Sequence, residues 1–200
     1  MTSEFRELEI IDVSQVHTYL EPGTPNLNFR SPATLFMTDF IATHPVVVDE
    51  ASSINEALTL MKQSYVRLLL VVTNDSEFRG IIAASDISGG KVLSYMSANQ
   101  VRSREDVTVK DIMTDKNHIH ALQFEQLEKA CIGDVIATIK HIGEQHVLVV
   151  QFDEDDVMVR GMYSTTNIAQ ALHIEFDVEP HAKTFFELNQ VILHHGPISP

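Results

Sequence analysis

The sequence predicts an α/β (α+β) fold made of two pseudo-symmetric β-α-β-β-α repeats, with an N-terminal arm before them and a C-terminal helix after them. Short apolar runs alternate with segments in which apolar residues recur at i, i+3, i+4 and i+7, the spacing of a helix that buries one face. A strand-to-helix turn from Gly80 to Asp86 has a counterpart 81 residues later, from Gly161 to Asn167. Elements recur in the same order before these turns, which indicates a tandem repeat.

The first repeat is assigned to residues 34–100, after an arm at residues 1–33. Its helix should begin at Ser53, because Ser53 and Glu56 have the spacing of a capping box, in which the two residues satisfy each other's backbone donors. The expected elements are a short strand, the capped helix, a fully apolar strand and a strand that enters the turn, at residues 44–48, 54–61, 68–72 and 78–83.

The second repeat is assigned to residues 101–175, and residues 176–200 to an amphipathic C-terminal helix and tail. The Met-Thr pair at residues 113–114 repeats the pair at residues 37–38, and extra length falls around residues 123–130. The expected elements are a short strand, a helix with one apolar face, an apolar strand and a strand that enters the second turn, at residues 118–122, 132–139, 147–150 and 157–162.

The composition predicts a cytoplasmic globular protein. The N-terminal residues lack the basic start and apolar core of a signal peptide, and the longest aliphatic runs are far shorter than the roughly 20 residues that span a bilayer, so no membrane partner is expected. Cys131 is the single cysteine, which excludes an internal disulfide and suits a reducing compartment.

The formal net charge of −14, from 28 acidic and 14 basic residues, predicts that nucleic acid is not a partner. A nucleic-acid duplex requires a basic footprint on the protein. A few local donors can still bind a nucleotide within an acidic protein. The charge favours AMP or ADP over free ATP, and it suggests that Mg²⁺ would accompany a polyphosphate.

Taken together, the residues above resemble the cystathionine-β-synthase (CBS) domain, present over about residues 34–173 as a tandem pair that is often called a Bateman module. The resemblance implies that the two repeats pack sheet to sheet and that the chain forms a homodimer. It also implies clefts that hold adenosine-containing ligands and a regulatory role.

The family pattern at the strand-to-helix turn is Gly-hydrophobic-x-Thr/Ser-x-x-Asp/Asn. The resemblance implies that the hydroxyl meets a phosphate, that the final residue meets the ribose hydroxyls, and that the first strand lines the adenine. The second copy keeps this pattern as Gly161, Ser164 and Asn167. By position, the residues beside the base would be His118, Ile119 and His120.

The first copy departs from the pattern because Ala83 stands where Thr or Ser is expected, although Gly80 and Asp86 remain. A methyl group cannot donate to a phosphate, so this site loses a hydrogen bond worth about 0.5–1.5 kcal/mol. We therefore predict one competent nucleotide site, on the second copy, and a weaker site at Gly80 and Asp86.

Three of these residues have an alternative role. Ser164, Asn167 and Asp86 belong to residue types that favour helix N-termini, so each could simply cap the helix that follows it. For Asp86 capping is the favoured interpretation, because Ala83 weakens the site. A ligand contact and a cap remain open for the other two.

No catalytic or metal site is predicted. The chain has no Walker loop, no Gly-x-Ser-x-Gly elbow and no His-Glu-x-x-His motif, so we do not expect an enzyme. The acidic residues 153–156 lack the spaced ligands and glycine of an EF-hand loop, and His118 and His120, expected on one face of a strand, do not have a zinc-site spacing.

The sequence thus favours a regulatory module that binds an adenosine nucleotide (AMP, ADP or ATP, the last with Mg²⁺) between its repeats, needs no cofactor, and relays occupancy through a dimer or an unidentified protein partner. One alternative is a ligand-free dimeric interaction module. Another is a sensor of divalent cations such as Mg²⁺, suggested by the charge and the acidic hairpin.

Overall fold

Two four-stranded sheets, one for each repeat, form the frame of the molecule. The computed structural model describes Ser14, residues 27–153 and residues 156–175; the predicted arm and the predicted C-terminal helix lie outside these residues, apart from Ser14 and the last residues of the arm. In this part of the chain the strands are β1 (Thr38–Asp39), β2 (Val47–Asp49), β3 (Leu68–Val72), β4 (Phe78–Ala83), β5 (Thr114–Asp115), β6 (Ala121–Gln123), β7 (His146–Asp153) and β8 (Asp156–Ser164).

Helices cover the outer face of each sheet. Within the described ranges, three 3₁₀ turns lie at Ala33–Phe36, Arg104–Asp106 and Lys116–His118. The α-helices of the described residues are α1 (Ile54–Gln63), α2 (Ala84–Ser88), α3 (Gly90–Asn99), α4 (Val109–Ile112), α5 (Phe124–Leu127), α6 (Ile132–Ile142) and α7 (Thr165–Leu172). The extra length of the second repeat forms α5 and a longer β7–β8 hairpin. The mixed α+β fold with two sheets is as the sequence predicted.

The start of α1 confirms the predicted capping box. The Glu56 N–H donates to Ser53 Oγ at 3.2 Å, and the Ser53 N–H donates to Glu56 Oε2 at 2.8 Å. Ile54, Ala57 and Met61 are buried on the inner face of the helix. The predicted face of α6 is buried as well, because its four apolar residues enter the second core.

The two sheets pack against each other through their inner faces. Along β3, Leu69 and Val71 point into the helical core of the first repeat. Leu68 and Leu70 point the other way and pack with Leu148 of β7. This alternation is the period of two that a strand imposes on its side chains, and it explains why the β3 sequence is apolar throughout.

Each repeat gives its first strand to the sheet of the other repeat. β1 pairs antiparallel with β8, with Asp39 opposite Gly161, and β5 pairs antiparallel with β4, with Asp115 opposite Gly80. The sheet orders are therefore β1-β8-β7-β6 and β2-β3-β4-β5. We call β1 and β5 the crossing strands.

The crossing strands explain the two repeated glycines. A Cβ on Gly161 would lie 2.5 Å from the carbonyl oxygen of Thr38, and a Cβ on Gly80 would collide with the carbonyl oxygen of Thr114. Such separations are below any normal contact, so only glycine lets the crossing strand approach. The pattern of the sequence did not reveal this role.

The prediction of a strand at residues 118–122 is wrong in its first half. Asp115 accepts a hydrogen bond from the Asn117 N–H at 2.9 Å and starts the 3₁₀ turn that ends at His118. β6 begins only at Ala121. His118 and His120 therefore do not share one face of a strand.

No helix in the described part of the chain is long and apolar enough to cross a membrane.

Candidate functional site

A cleft of about 300 Å³ lies between the two repeats and is open to solvent. This volume is near the lower end of the range for small-molecule pockets. The first repeat contributes Thr38, Phe40, Thr43, His44, Pro45, Val46, Tyr65, Val66, Arg67, Leu68 and Leu70 to its lining. The second repeat contributes His146, Met162, Ser164, Thr166, Asn167 and Gln170.

Ser164 and Asn167 meet in this cleft because β8 ends at Ser164 and α7 begins at the next residue. The Thr165 N–H is already paired with the carbonyl oxygen of Gln145 at 3.0 Å. The Ser164 side chain makes no capping hydrogen bond to α7, and neither its hydroxyl nor the Asn167 amide is bonded to any residue that the structure describes. Both groups can therefore bond a ligand in the cleft.

In the corresponding turn of the first repeat, the Asp86 side chain is already bonded to neighbouring residues. Asp86 Oδ2 accepts a hydrogen bond from the Ala83 N–H at 2.9 Å, and Asp86 Oδ1 lies 3.2 Å from Lys91 Nζ. The Asp86 carboxylate thus caps the short helix α2, the interpretation that the sequence favoured. Neither Gly80 nor Asp86 is among the residues that line the cleft.

The residues predicted to lie beside the base, His118, Ile119 and His120, do not line this cleft. Ile119 packs against the Leu68, Leu70 and Leu148 cluster. His120 Nδ1 is 3.2 Å from Glu144 Oε1, and His118 ends a 3₁₀ turn. None of these three residues contributes to the cleft lining.

Residues 43–46 of the first repeat line the cleft instead. These residues follow β1 in the chain, and β1 crosses onto the sheet that carries Ser164. The structure therefore unites the turn of one repeat with the loop after the crossing strand of the other.

Arg160 and Asp39 hold this arrangement in place. Arg160 Nη2 and Nε donate to the two carboxylate oxygens of Asp39 at 2.7 and 2.9 Å, a bidentate pair of the strong kind. Arg160 Nη1 also donates to Gln151 at 2.7 Å, and its guanidinium lies 4.3 Å from the centre of the Phe124 ring. The hydrogen bonds from Arg160 lower the pKa of Asp39 to about 2.

Two basic residues that the sequence analysis missed also line the cleft. His146 lies opposite Ser164 on the neighbouring strand; burial lowers its pKa, the carboxylate of Asp86 opposes this shift, and the positive charge of Arg67 adds to it. His146 is therefore neutral at neutral pH. The exposed Arg67 side chain makes no hydrogen bond or ion pair with the described residues, so its charge is available to an anion.

The positions of Arg67 and His146 offered a weak sequence signal. Arg67 stands immediately before the apolar strand of the first repeat, and His146 begins the equivalent strand of the second. A basic residue at a strand entry is common on surfaces, and only the packing of the two sheets places both in one cleft. Across the described ranges, no group of three or more His, Cys, Asp or Glu side chains could hold a metal ion.

Comparison with known proteins gives one family match and many structural relatives. Residues 37–89 match the family model of the CBS domain. No curated protein matches the sequence.

Among solved structures, a conserved protein from Pyrococcus horikoshii is similar with a TM-score of 0.53 and 19% identity, over 76% of this chain and 100% of that chain. CBSX2 from Arabidopsis thaliana, solved in complex with AMP, gives a TM-score of 0.48 and 18% identity over 70% and 95%. A conserved CBS domain protein from Thermoplasma acidophilum gives 0.49 and 14% over 80% and 76%. At these identities the likeness is one of fold.

Proposed function

We propose that this chain, of which residues 37–89 match the CBS-domain family model, is a regulatory tandem CBS module that binds an adenosine nucleotide in the cleft between its repeats. The observation that carries this proposal is that the polar side chains of the second turn are not used within the described protein. Ser164 and Asn167 point polar groups into a cleft without using them as caps, whereas Asp86 at the equivalent place is already bonded.

Each polar group suits one part of a nucleotide. The Ser164 hydroxyl donates to a phosphate, and the Arg67 guanidinium supplies the opposite charge. The Asn167 amide both donates and accepts, which matches ribose hydroxyls. Residues 43–46 and Val66 supply apolar and backbone surface for the base.

The size and charge of the cleft favour a mononucleotide. A volume of about 300 Å³ leaves little room for more than one base and sugar. Arg67 is the one Lys or Arg among the described residues that line the cleft, and the chain carries a net charge of −14. We therefore propose AMP or ADP as the ligand, and Mg²⁺ only as the companion of a longer phosphate chain.

Regulation follows from the composite lining. Because both repeats contribute to the cleft, a ligand stabilises the relative arrangement of the repeats to which it binds best. At 100 times its Kd such a ligand adds about 2.7 kcal/mol to the stability of the protein. We propose that this arrangement of the repeats changes the contacts within a homodimer or with a protein partner.

A thermal-unfolding series with AMP, ADP, ATP, S-adenosylmethionine and MgCl₂ tests the proposal. We expect AMP or ADP in large excess to raise Tm by roughly 5–10 °C. Ser164→Ala should weaken the affinity by about 10- to 150-fold, because it removes a hydrogen bond to a charged group. Ser85→Ala, on the exposed side of the equivalent turn in the first repeat, should leave the affinity unchanged.

The alternatives give different results in the same series. No response to any adenosine compound at millimolar concentration would remove the proposed function and favour a ligand-free interaction module. A response to MgCl₂ alone would favour a cation sensor. A nucleotide response that survives both Ser164→Ala and Asn167→Ala would place the ligand outside this cleft.

A further inference from the structure

Tyr65 is the most exposed large hydrophobic side chain of the described residues, with 97% of its surface accessible, and it also lines the cleft. A ring with this exposure contributes almost nothing to the packing of the described chain. Its phenol group makes no hydrogen bond to any described residue. The folded protein alone therefore gives no reason for an aromatic side chain at this position.

The backbone conformation at this position disfavours a tyrosine. Tyr65 has φ 55°, in the left-handed region, where a side chain with a Cβ costs conformational energy that glycine avoids. Large residues rarely occupy this region, and those that do cluster at ligand sites.

The second repeat shows which residue this position accepts without strain. Gly143, with φ 68°, stands 78 residues after Tyr65. Both residues lie between the first long helix of their repeat, α1 or α6, and the strand that follows it, β3 or β7. The fold thus uses glycine at this point in one repeat and a strained, exposed tyrosine in the repeat whose loop lines the cleft.

We propose that Tyr65 is a base-stacking residue that makes the cleft selective for ligands with a planar aromatic base. This inference rests on the proposed function, because it assigns the ring a ligand that Ser164 and Asn167 hold by its sugar and phosphate. An exposed ring at the cleft gains most from a planar partner, since the ligand covers a face that water otherwise wets. Stacking of a base on an aromatic side chain supplies much of the affinity in many nucleotide sites.

The test compares AMP with ribose 5-phosphate, which has the same sugar and phosphate but no base. Calorimetric titrations use the full chain, Tyr65→Phe, Tyr65→Asn and Leu93→Asn. Asparagine tolerates left-handed backbone better than tyrosine, so Tyr65→Asn should fold with an unchanged or higher Tm. Leu93 is 70% exposed on α3 and does not line the cleft, which makes Leu93→Asn a matched control.

We expect Tyr65→Asn to bind AMP roughly 5- to 150-fold more weakly than Tyr65→Phe, and Leu93→Asn to bind as the unaltered chain does. Binding of ribose 5-phosphate should be the same in every variant. The chain has no tryptophan and four tyrosines, so AMP should also quench a part of the tyrosine emission that is missing in Tyr65→Phe.

Equal AMP affinity in Tyr65→Asn and Tyr65→Phe would overturn the stacking role and leave the proposed function intact. Failure of the unaltered chain to bind either AMP or ADP in the same titrations would overturn both. A parallel loss of AMP and ribose 5-phosphate binding in Tyr65→Asn would also contradict the inference, because it would show a general disturbance of the cleft.

Discussion

The two strand-to-helix turns have the same position in their repeats but opposite chemical states. In the first, Asp86 bonds the backbone of Ala83 and the Lys91 ammonium, so its carboxylate is already used. In the second, Ser164 and Asn167 have no partner among the described residues and line a cleft. The comparison teaches that one fold can use the side chain of a turn as a helix cap in one copy and leave the polar side chains of the equivalent turn facing a cleft in the other.

A second difference concerns how each crossing strand is held. Asp39 on β1 receives two hydrogen bonds from Arg160. The equivalent Asp115 on β5 bonds its own neighbour Asn117, and Arg79 lies instead 3.4 Å from Glu50. The crossing strand β1, which pairs beside the Ser164 turn, is thus held more firmly than β5. This pairing fixes the position of residues 43–46, which complete the cleft.

The largest effect is expected from the glycines beneath the crossing strands. Gly161→Ala and Gly80→Ala should each lower the free energy of unfolding by about 1–3 kcal/mol or more, because the added methyl collides with the backbone of β1 or β5. AMP affinity should fall much further in Gly161→Ala, since the cleft residues 43–46 follow β1 in the chain. Urea denaturation and calorimetry measure both quantities, and equal AMP affinity in the two variants would contradict the assignment of the cleft.

An intermediate effect is expected at Asp39. Asp39→Asn should cost about 1.5–3 kcal/mol at neutral pH, because it weakens the charged hydrogen bonds from Arg160. The pKa of Asp39 is lowered to about 2 in the folded state from an ordinary 3.8, so its stabilising contribution is complete above pH 3.8 and is lost as the pH falls toward 2.

The difference in the free energy of unfolding between Asp39→Asn and the unaltered chain (the gap) should therefore become smaller from pH 6 to pH 2.5 in denaturant titrations. Asp115→Asn is the control, since Arg79 acts on Asp115 only through its charge and donates no hydrogen bond to it, and it should show a smaller gap at every pH. A gap at Asp39 that does not change with pH would indicate that the pair is not formed in solution.

The smallest effect is expected from restoring the missing hydroxyl of the first turn. Ala83→Ser should change the free energy of unfolding by less than about 0.5 kcal/mol and should not create a second nucleotide site, because Asp86 remains bonded to Lys91 and to the backbone. Calorimetry should still give one ligand for each chain. Two ligands for each chain would show that Ala83 alone closes the first site.

The elements with strong periodicity could be predicted from the sequence. The capping box at Ser53, the apolar strand β3 and the buried face of α6 follow from local chemistry, and the structure confirms them. The asymmetry between Ala83 and Ser164 could also be predicted, because it is a difference in side-chain chemistry at aligned positions.

The residues that share the cleft with Ser164 and Asn167 could not be predicted. The crossing strands β1 and β5 have two residues each, too few to show any period, and nothing local indicates that they leave their own repeat. The prediction for the base therefore falls on His118 to His120, within the same repeat as Ser164, and these residues do not line the cleft. Arg67, His146 and Tyr65 were missed for the same reason, since only long-range packing unites them.

The crossing strands also bear on how such a chain could arise. Half of the molecule, taken alone, would leave one sheet edge without its partner strand and one short strand with no sheet to join. Two separate copies of a half could satisfy each other by trading these strands, in the manner of a domain-swapped dimer. A fused chain of two such halves exchanges these strands within one molecule and leaves each half free to change, so that the two turns can differ in chemistry, as Asp86 and Asn167 do.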